Sequence, residues 1–470
     1  MRHTKIVATV GPASAAPETL DRLMEAGVDV FRLNASHGTV EERAARIAQI
    51  QAVAARRNAR PGILLDLQGP KIRLGRFEGG SASLEAGARF TITTQDCLGN
   101  ASIASTTYGD FARDVKPGSR VLLADGAVEL RALRSDGVAV ECEVVHGGLV
   151  SDRKGINLPG VPVSTPAMTK KDTADLRAAL QCGIDMVALS FVRHRDDLLR
   201  LRHLLDEHDA NLPIIAKIEK PEGWQRLGDI LEEANGVMVA RGDLGVEMAI
   251  EKVPFIQKSI IEKARARGRF VITATQMLES MIENPTPTRA EVSDIANAIY
   301  DGTDAVMLSA ETSTGKYPVE AVSMMARVAC EAEASLRSGQ GWELPADRPP
   351  TPPEMVADAA YRAARRLNAA AIVVFTTSGT AARLVARFRS SVPVCAFTPS
   401  EAVARQLSVI YGVRSVGTEM VPATDEMMTQ MDRMLIDLKW ARQGDLVICV
   451  SGQPVGLPGT TNMMKVHTVS

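Results

Sequence analysis

Between Ile214 and Glu247 the chain reads IIAKIEKPEGWQRLGDILEEANGVMVARGDLGVE. Lys217 and Glu219 lie two positions apart at the end of a β-branched run. A strand over Pro213–Glu219 therefore carries both on one face. A second apolar run, Gly236–Ala240, ends in Arg241-Gly242-Asp243, where the glycine lets the backbone approach a ligand closely. A lysine, two carboxylates and exposed backbone N–H groups thus gather at the C-terminal ends of neighbouring parallel strands. Active sites of open α/β sheets and α/β barrels lie there. The plainer alternative is a pair of solvated strand ends joined by a salt bridge, but charges seldom follow buried runs so closely without a task.

Other apolar runs end in the same way. FRLNASHG supplies Arg32, Asn34, Ser36 and His37; LLDLQGPKIR supplies Asp66, Lys71 and Arg73; TATQMLES supplies Thr275; MLSAET supplies Ser309 and Glu311. Arginines and lysines suit a multiply charged phosphate. Paired carboxylates without a cysteine or histidine cluster suit a hard cation such as Mg²⁺ or Mn²⁺. Together they point to metal-assisted phosphoryl transfer. Some have structural readings too: Arg73 as a hinge salt bridge, His37 as a turn cap, Ser309 and Glu311 as supports of the barrel end. Met277 and Met281, at helical spacing, are read as packing.

The elements that must position these residues alternate along the chain. Strands are predicted at Lys5–Val10, Val28–Asn34, Ile63–Leu67, Asp185–Phe191, Pro213–Glu219, Gly236–Ala240, Phe270–Thr275 and Ala305–Leu308, with helical patterns such as Pro17–Ala26, Val40–Arg57 and Asp172–Gln181 between them. Eight strands with interleaved helices over about 250 residues make a (β/α)₈ barrel, a TIM barrel, within an α/β chain. We assign it residues 1–69 and 161–340. The third connection is too long for a helix alone. Its alternation (Arg89–Thr93, Val138–Val144) and its turns at Asp125-Gly126 and Asp136-Gly137 predict a small inserted all-β domain, a β-barrel, over residues 70–160. Emerging from the catalytic face, it is placed to act as a lid that excludes water. A proline-rich linker over 341–353 leads to a C-terminal α/β domain, 354–470, with strands at Ala371–Phe375, Val392–Phe397 and Leu446–Val450. There Thr376-Thr377-Ser378-Gly379-Thr380 follows a strand and opens a helix, the geometry of a phosphate cradle. A polar turn with a capping serine is the alternative.

At 470 residues, with 45% hydrophobic residues, the composition is that of a soluble globular protein. A net charge of -2 and 4% aromatics argue against nucleic acid or a membrane surface as partner. Six scattered cysteines without a CxxC pair fit reduced thiols in a cytoplasmic protein. No signal peptide or membrane span is expected.

The motifs TKIVATVGPAS, RLNASHG, GPKIR, KGINLPG, AKIEKPEG, MVARGDLGVE, TATQMLESM and MLSAETSTGKYP, together with the C-terminal GLPGTTNMMKV, resemble those of pyruvate kinase, in that family's order. The resemblance implies transfer of a phosphoryl group from phosphoenolpyruvate to ADP, giving pyruvate and ATP. By position, Glu219 and Asp243 resemble the ligands of a divalent metal, and Lys217 the lysine beside the transferring phosphoryl group. The amides of Gly242 and Asp243 resemble those that hold the pyruvate carboxylate, and Thr275 the residue near the enolate carbon that is protonated. Arg32, Arg73, Asn34, His37 and Lys154 resemble phosphate and nucleotide contacts. The Thr376–Thr380 loop resembles the cradle of an allosteric phosphorylated effector, over which the QPVGLPG loop after Gly452 could close. The family is usually a homotetramer. Two other functions stand against this one: a barrel lyase or aldolase acting on phosphoenolpyruvate, and an inactive phosphosugar sensor.

One position departs from the commoner pattern. Many pyruvate kinases need K⁺ and have a glutamate where this chain has Lys71. Asn34, Ser36 and Asp66 resemble three ligands of that site, but Leu67, Gln68, Lys71 and Leu74 resemble the K⁺-independent branch. The ammonium of Lys71 would supply the charge a potassium ion otherwise brings. K⁺ is therefore expected not to be required.

Overall fold

The computed structural model describes residues 2–336, 343–344, 349–419, 424–453 and 459–470. Eight parallel strands close into a barrel in chain order: Lys5–Thr9, Val30–Asn34, Gly62–Asp66, Met186–Leu189, Ile214–Ile218, Gly236–Ala240, Phe270–Ala274 and Ala305–Leu308. Alternation along each strand divides its side chains. Ile63, Leu65, Ile214 and Ala216 face outward into the helices, while Leu64 and Ile215 fill the interior. The same alternation carries Arg32, Asp66 and Lys217 to the inner face at the strands' C-terminal ends, where apolar filling gives way to charge.

The helices start and stop on local signals. Val40–Arg56 and Lys170–Cys182 each begin in a capping box, Thr39 with Glu42 and Thr169 with Asp172. Pro17–Ala26 opens on its proline and ends at Gly27, in the left-handed region at φ 110°. Several expected strands are shorter than their apolar runs. Phe191 and Thr275 lie outside the ladder because their backbones turn out of it, into the left-handed region at φ 57° and φ 69°.

The insert between the third and fourth barrel strands holds a six-stranded sheet and a two-stranded one around a single core. Isolated bridges from Arg73 to Gly155 and from Leu74 to Thr106 join the two edges of the larger sheet. The Asp125-Gly126 and Asp136-Gly137 turns link its hairpins, Arg120–Leu123 to Val128–Ser135 to Ala139–His146.

Among the described residues of the C-terminal domain the sheet has five strands. Besides Ala371–Phe375, Val394–Thr398 and Leu446–Gly452, it contains Val413–Gly417 and Thr461–Thr468, which the sequence reading did not anticipate. Both are edge strands, half-exposed and polar, so the buried run that marks a central strand is missing. Pro352 and Pro353, expected in the linker, open the helix Pro352–Arg366 behind a Thr351–Glu354 capping box. Proline is favoured at a first helical position. Most of the QPVGLPG loop lies outside the described residues.

The lower barrel interior and the C-terminal domain share one core: Leu64, Ile215, Met238 and Met307 belong to the same buried cluster as Ala360, Val385 and Leu407. Polar ties reinforce the contact, Arg405 to Asp185 at 2.8 Å and Lys5 Nζ to the Val413 carbonyl at 2.8 Å.

Candidate active site

At the barrel mouth four charged side chains from three strands form an alternating row. Arg32 donates from Nε to Asp66 Oδ2 at 2.7 Å and from Nη1 to Thr9 Oγ1 at 2.9 Å. Asp66 Oδ1 has no hydrogen bond but faces Lys217 Nζ at 3.3 Å, and the same ammonium lies 2.8 Å from Glu219 Oε1. Lys217 also donates to Ser190 Oγ at 2.8 Å, while Glu219 accepts the Phe191 amide at 2.8 Å. Asp66 and Glu219 are 1% and 2% exposed, so little water screens them.

Burial opposes the Lys217 charge, but Asp66 and Glu219 outweigh it and hold its pKa above the usual lysine value. For Asp66, burial is outweighed by Lys217 and Arg32, which keep its carboxyl below the ordinary range. Asp243 is the exception. Burial and the neighbouring Glu219 push its carboxyl up to about 6, against the ammonium groups of Lys217 and Lys71, with Asp125 adding to the push. A row of fixed cations beside two crowded carboxylates can bind a polyanion together with a divalent cation.

Thr275 stands beside Asp243. Its hydroxyl accepts the Gly242 amide at 2.8 Å and donates to its own preceding carbonyl, Ala274, at 2.6 Å. One of the two amides expected to hold a carboxylate is therefore already bonded. Gly242 has an ordinary φ, and a Cβ there would meet Thr275 Oγ1 at 3.5 Å, a normal contact. Its value is close approach. Thr275 and Gln276 both occupy the left-handed region, at φ 69° and 55°. For a β-branched residue that is strained, by ~1–3 kcal/mol, and such strain collects at functional sites.

The lid closes one side. A cleft of about 660 Å³ between lid and barrel is lined by Lys71, Asp125 and Asn157 above and by Phe191, Lys220 and Asp243 below. Asn157 Nδ2 donates to Glu247 at 3.2 Å, and Lys220 pairs with the same carboxylate at 2.6 Å. Lys71 is exposed, yet its field reaches both Asp243 and His37. Burial and the charges of Lys71, Arg73 and Arg32 hold His37 below the usual histidine value. Arg73 donates to the Arg153 carbonyl at 3.0 Å, and Lys154 is exposed on the same return segment. Asn34 turns inward on its own loop, its side chain accepting the Ser36 amide at 3.0 Å.

Far from this mouth, in the C-terminal domain, Gly379 at φ 76° lets the Thr376–Thr380 loop turn into the helix Thr380–Ala386. Thr376 Oγ1 accepts the Gly379 amide at 2.9 Å, and Ser378 and Thr380 hydroxyls lie 3.1 Å apart. Arg383 donates to Thr380 Oγ1 at 2.9 Å; burial and the nearby Arg269 lower its pKa to about 10.

Sequence reasoning missed Thr9, Ser190, Asp125, Arg241 and Arg383. Ser190 had a signal, since it continues the inward alternation of its strand. Asp125 was read only as a turn residue. Glu311 and Met281 behave as read: Glu311 is buried and bonded to backbone amides, and Met281 is core.

Residues 1–322 match the family model of the pyruvate kinase barrel domain and residues 354–467 that of the pyruvate kinase alpha/beta domain. A pyruvate kinase of Corynebacterium glutamicum is 46% identical over 466 residues, 99% of this chain and 97% of the relative. One from Geobacillus stearothermophilus is 45% identical, covering 100% of this chain and 81% of its own. Among solved structures, a pyruvate kinase from Cryptosporidium parvum superposes with a TM-score of 0.94 at 36% identity, over 100% of this chain and 96% of that one. With its barrel, inserted lid and C-terminal α/β domain, the chain belongs to the pyruvate kinase family of phosphotransferases.

Proposed function

We propose that the protein transfers the phosphoryl group of phosphoenolpyruvate to ADP, taking up a proton and giving pyruvate and ATP, the last step of glycolysis. The observation that carries this reading is the buried row Arg32–Asp66–Lys217–Glu219 with the raised carboxyl of Asp243 beside it. In phosphoryl transfer the negative charge spreads over the phosphoryl oxygens, so cations fixed in advance lower the barrier. Lys217 and Arg32 are such cations, each locked by carboxylates. Arg73 and Lys154 from the lid, and Asn34 and His37 from the end of the second barrel strand, take the nucleotide phosphates.

Glu219 and Asp243 are the ligands we assign to Mg²⁺ or Mn²⁺. Both are hard oxygen donors, and their mutual crowding is what a cation relieves. Among the described residues no three His, Cys, Asp or Glu side chains are grouped for a metal, so Glu219 and Asp243 are the two side chains that would hold the ion. When bound, the ion neutralises charge on the phosphoryl and enolate oxygens. Thr275 lies where the enolate carbon is protonated. Its hydroxyl proton is given to Ala274 and a threonine is a weak acid, so the proton comes through a water relay.

Three further readings belong to this function. Lys71 takes the place of a K⁺ ion beside the Asn34, Ser36 and Asp66 remnants, supported by its field at Asp243 and His37. A phosphorylated effector binds at Thr376, Thr377, Ser378, Gly379 and Thr380, supported by the Arg383 cation against that loop. The protein assembles as a homotetramer, supported by two exposed apolar faces, Ile250 with Phe255 on the barrel and Met464 with Val466 on the C-terminal edge strand. Each leaves a repeating contact for a second copy. We keep the domain limits stated above, except that the C-terminal domain starts with the helix opened by Pro352, and place the protein in the cytoplasm; among the described residues no helix is long and apolar enough to cross a membrane.

Pyruvate formation from phosphoenolpyruvate, followed with and without ADP and Mg²⁺, tests the reading. Pyruvate formed without ADP would mean a lyase, and no pyruvate with either would mean a phosphosugar sensor.

A further inference from the structure

The loop after the second barrel strand, Ala35 to Gly38, is held by its backbone, with three of its four carbonyls taken up by two cations. Lys171 Nζ donates to the Ala35 carbonyl at 2.7 Å, and Arg43 Nη1 donates to those of His37 at 3.3 Å and Gly38 at 3.2 Å. Both cations end on a single carboxylate. Lys171 Nζ lies 2.5 Å from Asp175 Oδ2, and Arg43 Nη2 pairs with Asp175 Oδ1. Asp175 and Arg43 are each 4% exposed, so water screens that pair little. Lys171 and Asp175 belong to the helix Lys170–Cys182, the first after the lid, where a spacing of four puts them on one face. In the first turn of the same helix Asp172 accepts the Gly69 amide at 3.2 Å. One helix end therefore holds the loops after strands two and three, which carry Asn34, His37 and Lys71.

We infer that Asp175 is a positioning residue for nucleotide binding: one buried carboxylate sets Arg43 and Lys171 on the backbone of the Ala35–Gly38 loop and so fixes where Asn34 and His37 meet the nucleotide phosphates. It acts through that loop without reaching the substrate. The inference rests on the nucleotide role proposed above for Asn34 and His37 and adds the group that holds them in place. Replacing one carboxylate oxygen by an amide NH₂ removes the shared charge and sets donor against donor at one of the two cations. The loop then loosens. Lys217, Glu219 and Asp243 rise from the fifth and sixth strands and keep their contacts. Asp175→Asn should therefore weaken binding of ADP and leave phosphoenolpyruvate binding and turnover nearly untouched.

Steady-state kinetics on the full-length protein, with each substrate varied while the other and Mg²⁺ are saturating, separate these effects. The expected result for Asp175→Asn is a KM for ADP raised about fivefold or more, with KM for phosphoenolpyruvate and kcat within about twofold of the parent. The Lys171 side chain is half exposed, and without it Asp175 still has Arg43. Lys171→Met should thus fold and show the same split, and Lys171→Arg, which keeps the cation, should restore the parent KM. If Asp175→Asn fails to fold, the lysine variants decide. A second readout needs no nucleotide. Burial and the charges of Lys71, Arg73 and Arg32 hold the His37 pKa down, so a loosened loop should raise it in an NMR titration of the folded variants. An unchanged KM for ADP, equal rises in both KM values, a loss of kcat alone, or an unmoved His37 pKa overturns the inference. Asn34→Ala with His37→Ala keeps the two readings apart. If that pair raises KM for ADP while Asp175→Asn and Lys171→Met do not, only the inference falls; if it leaves KM for ADP unchanged, the nucleotide role of the loop falls with it.

Discussion

Replacing Lys217 by methionine removes one ammonium and leaves a side chain of similar length, and the structure lets its two consequences be sized separately. Asp66 keeps both Arg32 contacts, but Glu219, 2% exposed, retains only the Phe191 amide. Removing one partner of a buried pair destabilises by about 3–5 kcal/mol, because a carboxylate is left uncompensated. For a barrel of this size that corresponds to a melting temperature lowered by roughly 6–20 °C. The second consequence is catalytic. One preorganised neutral donor supplies about 10²–10³ in rate, so a charged one on the phosphoryl path should supply ~10³ or more. A third follows from sign: without the ammonium, Glu219 and Asp243 attract a divalent cation more strongly, by up to ~4 kcal/mol for unit charges 4 Å apart in a medium of effective dielectric 20. Calorimetry, Mn²⁺ titration followed by electron paramagnetic resonance, and kcat measured at 20 °C below the lowered transition give the three quantities. The expected variant melts early, binds Mn²⁺ more tightly and turns over at least 10³-fold more slowly. A folded variant with kcat within tenfold of the parent, or with weaker Mn²⁺ binding, would refute the electrostatic account.

The other tests follow the remaining charges. Full activity is expected in a tetramethylammonium buffer free of Na⁺ and K⁺, and Lys71→Glu should lower it there and create a response to K⁺; a tenfold rise on adding K⁺ to the parent would sink the idea. In the same variant the His37 pKa, held down by burial and by Lys71, Arg73 and Arg32, should rise in an NMR titration, because one repelling charge becomes an attracting one. Thr377→Ala with Ser378→Ala, or Arg383→Ala alone, should abolish activation by sugar phosphates and nucleoside monophosphates while sparing basal turnover, as read from phosphoenolpyruvate saturation curves. Phe255→Asp, which charges an exposed apolar face of the barrel, should split a tetramer into dimers in analytical ultracentrifugation; an unchanged mass would clear that face of the role.

Much of this molecule was legible in order along the chain. Eight apolar runs interleaved with helical patterns identified the barrel, and the charged or hydroxyl residues that close six of them identified its catalytic end, because strand alternation converts a spacing of two into a shared face. Lys217 and Glu219 meet at 2.8 Å for that reason alone. The long third connection and its Asp-Gly turns likewise marked the lid. What the chain order does not carry is which side chains complete the charges once strands far apart in sequence become neighbours. Asp66 and Lys217 are separated by 151 positions yet pair across the barrel mouth. Asp125 reaches Asp243 only because the lid folds back over the cleft. Nor does local propensity predict Thr275 at φ 69°; left to itself a threonine avoids that region, and it stays there because Arg241 and Glu311 grip its turn from the adjoining strands. The two unforeseen edge strands have the same origin, for Val413–Gly417 and Thr461–Thr468 are strands by virtue of the ladders offered to them. Motif and period depend on neighbours in sequence and are written there, whereas burial, ion pairing and strain depend on neighbours in space and exist only in the folded chain.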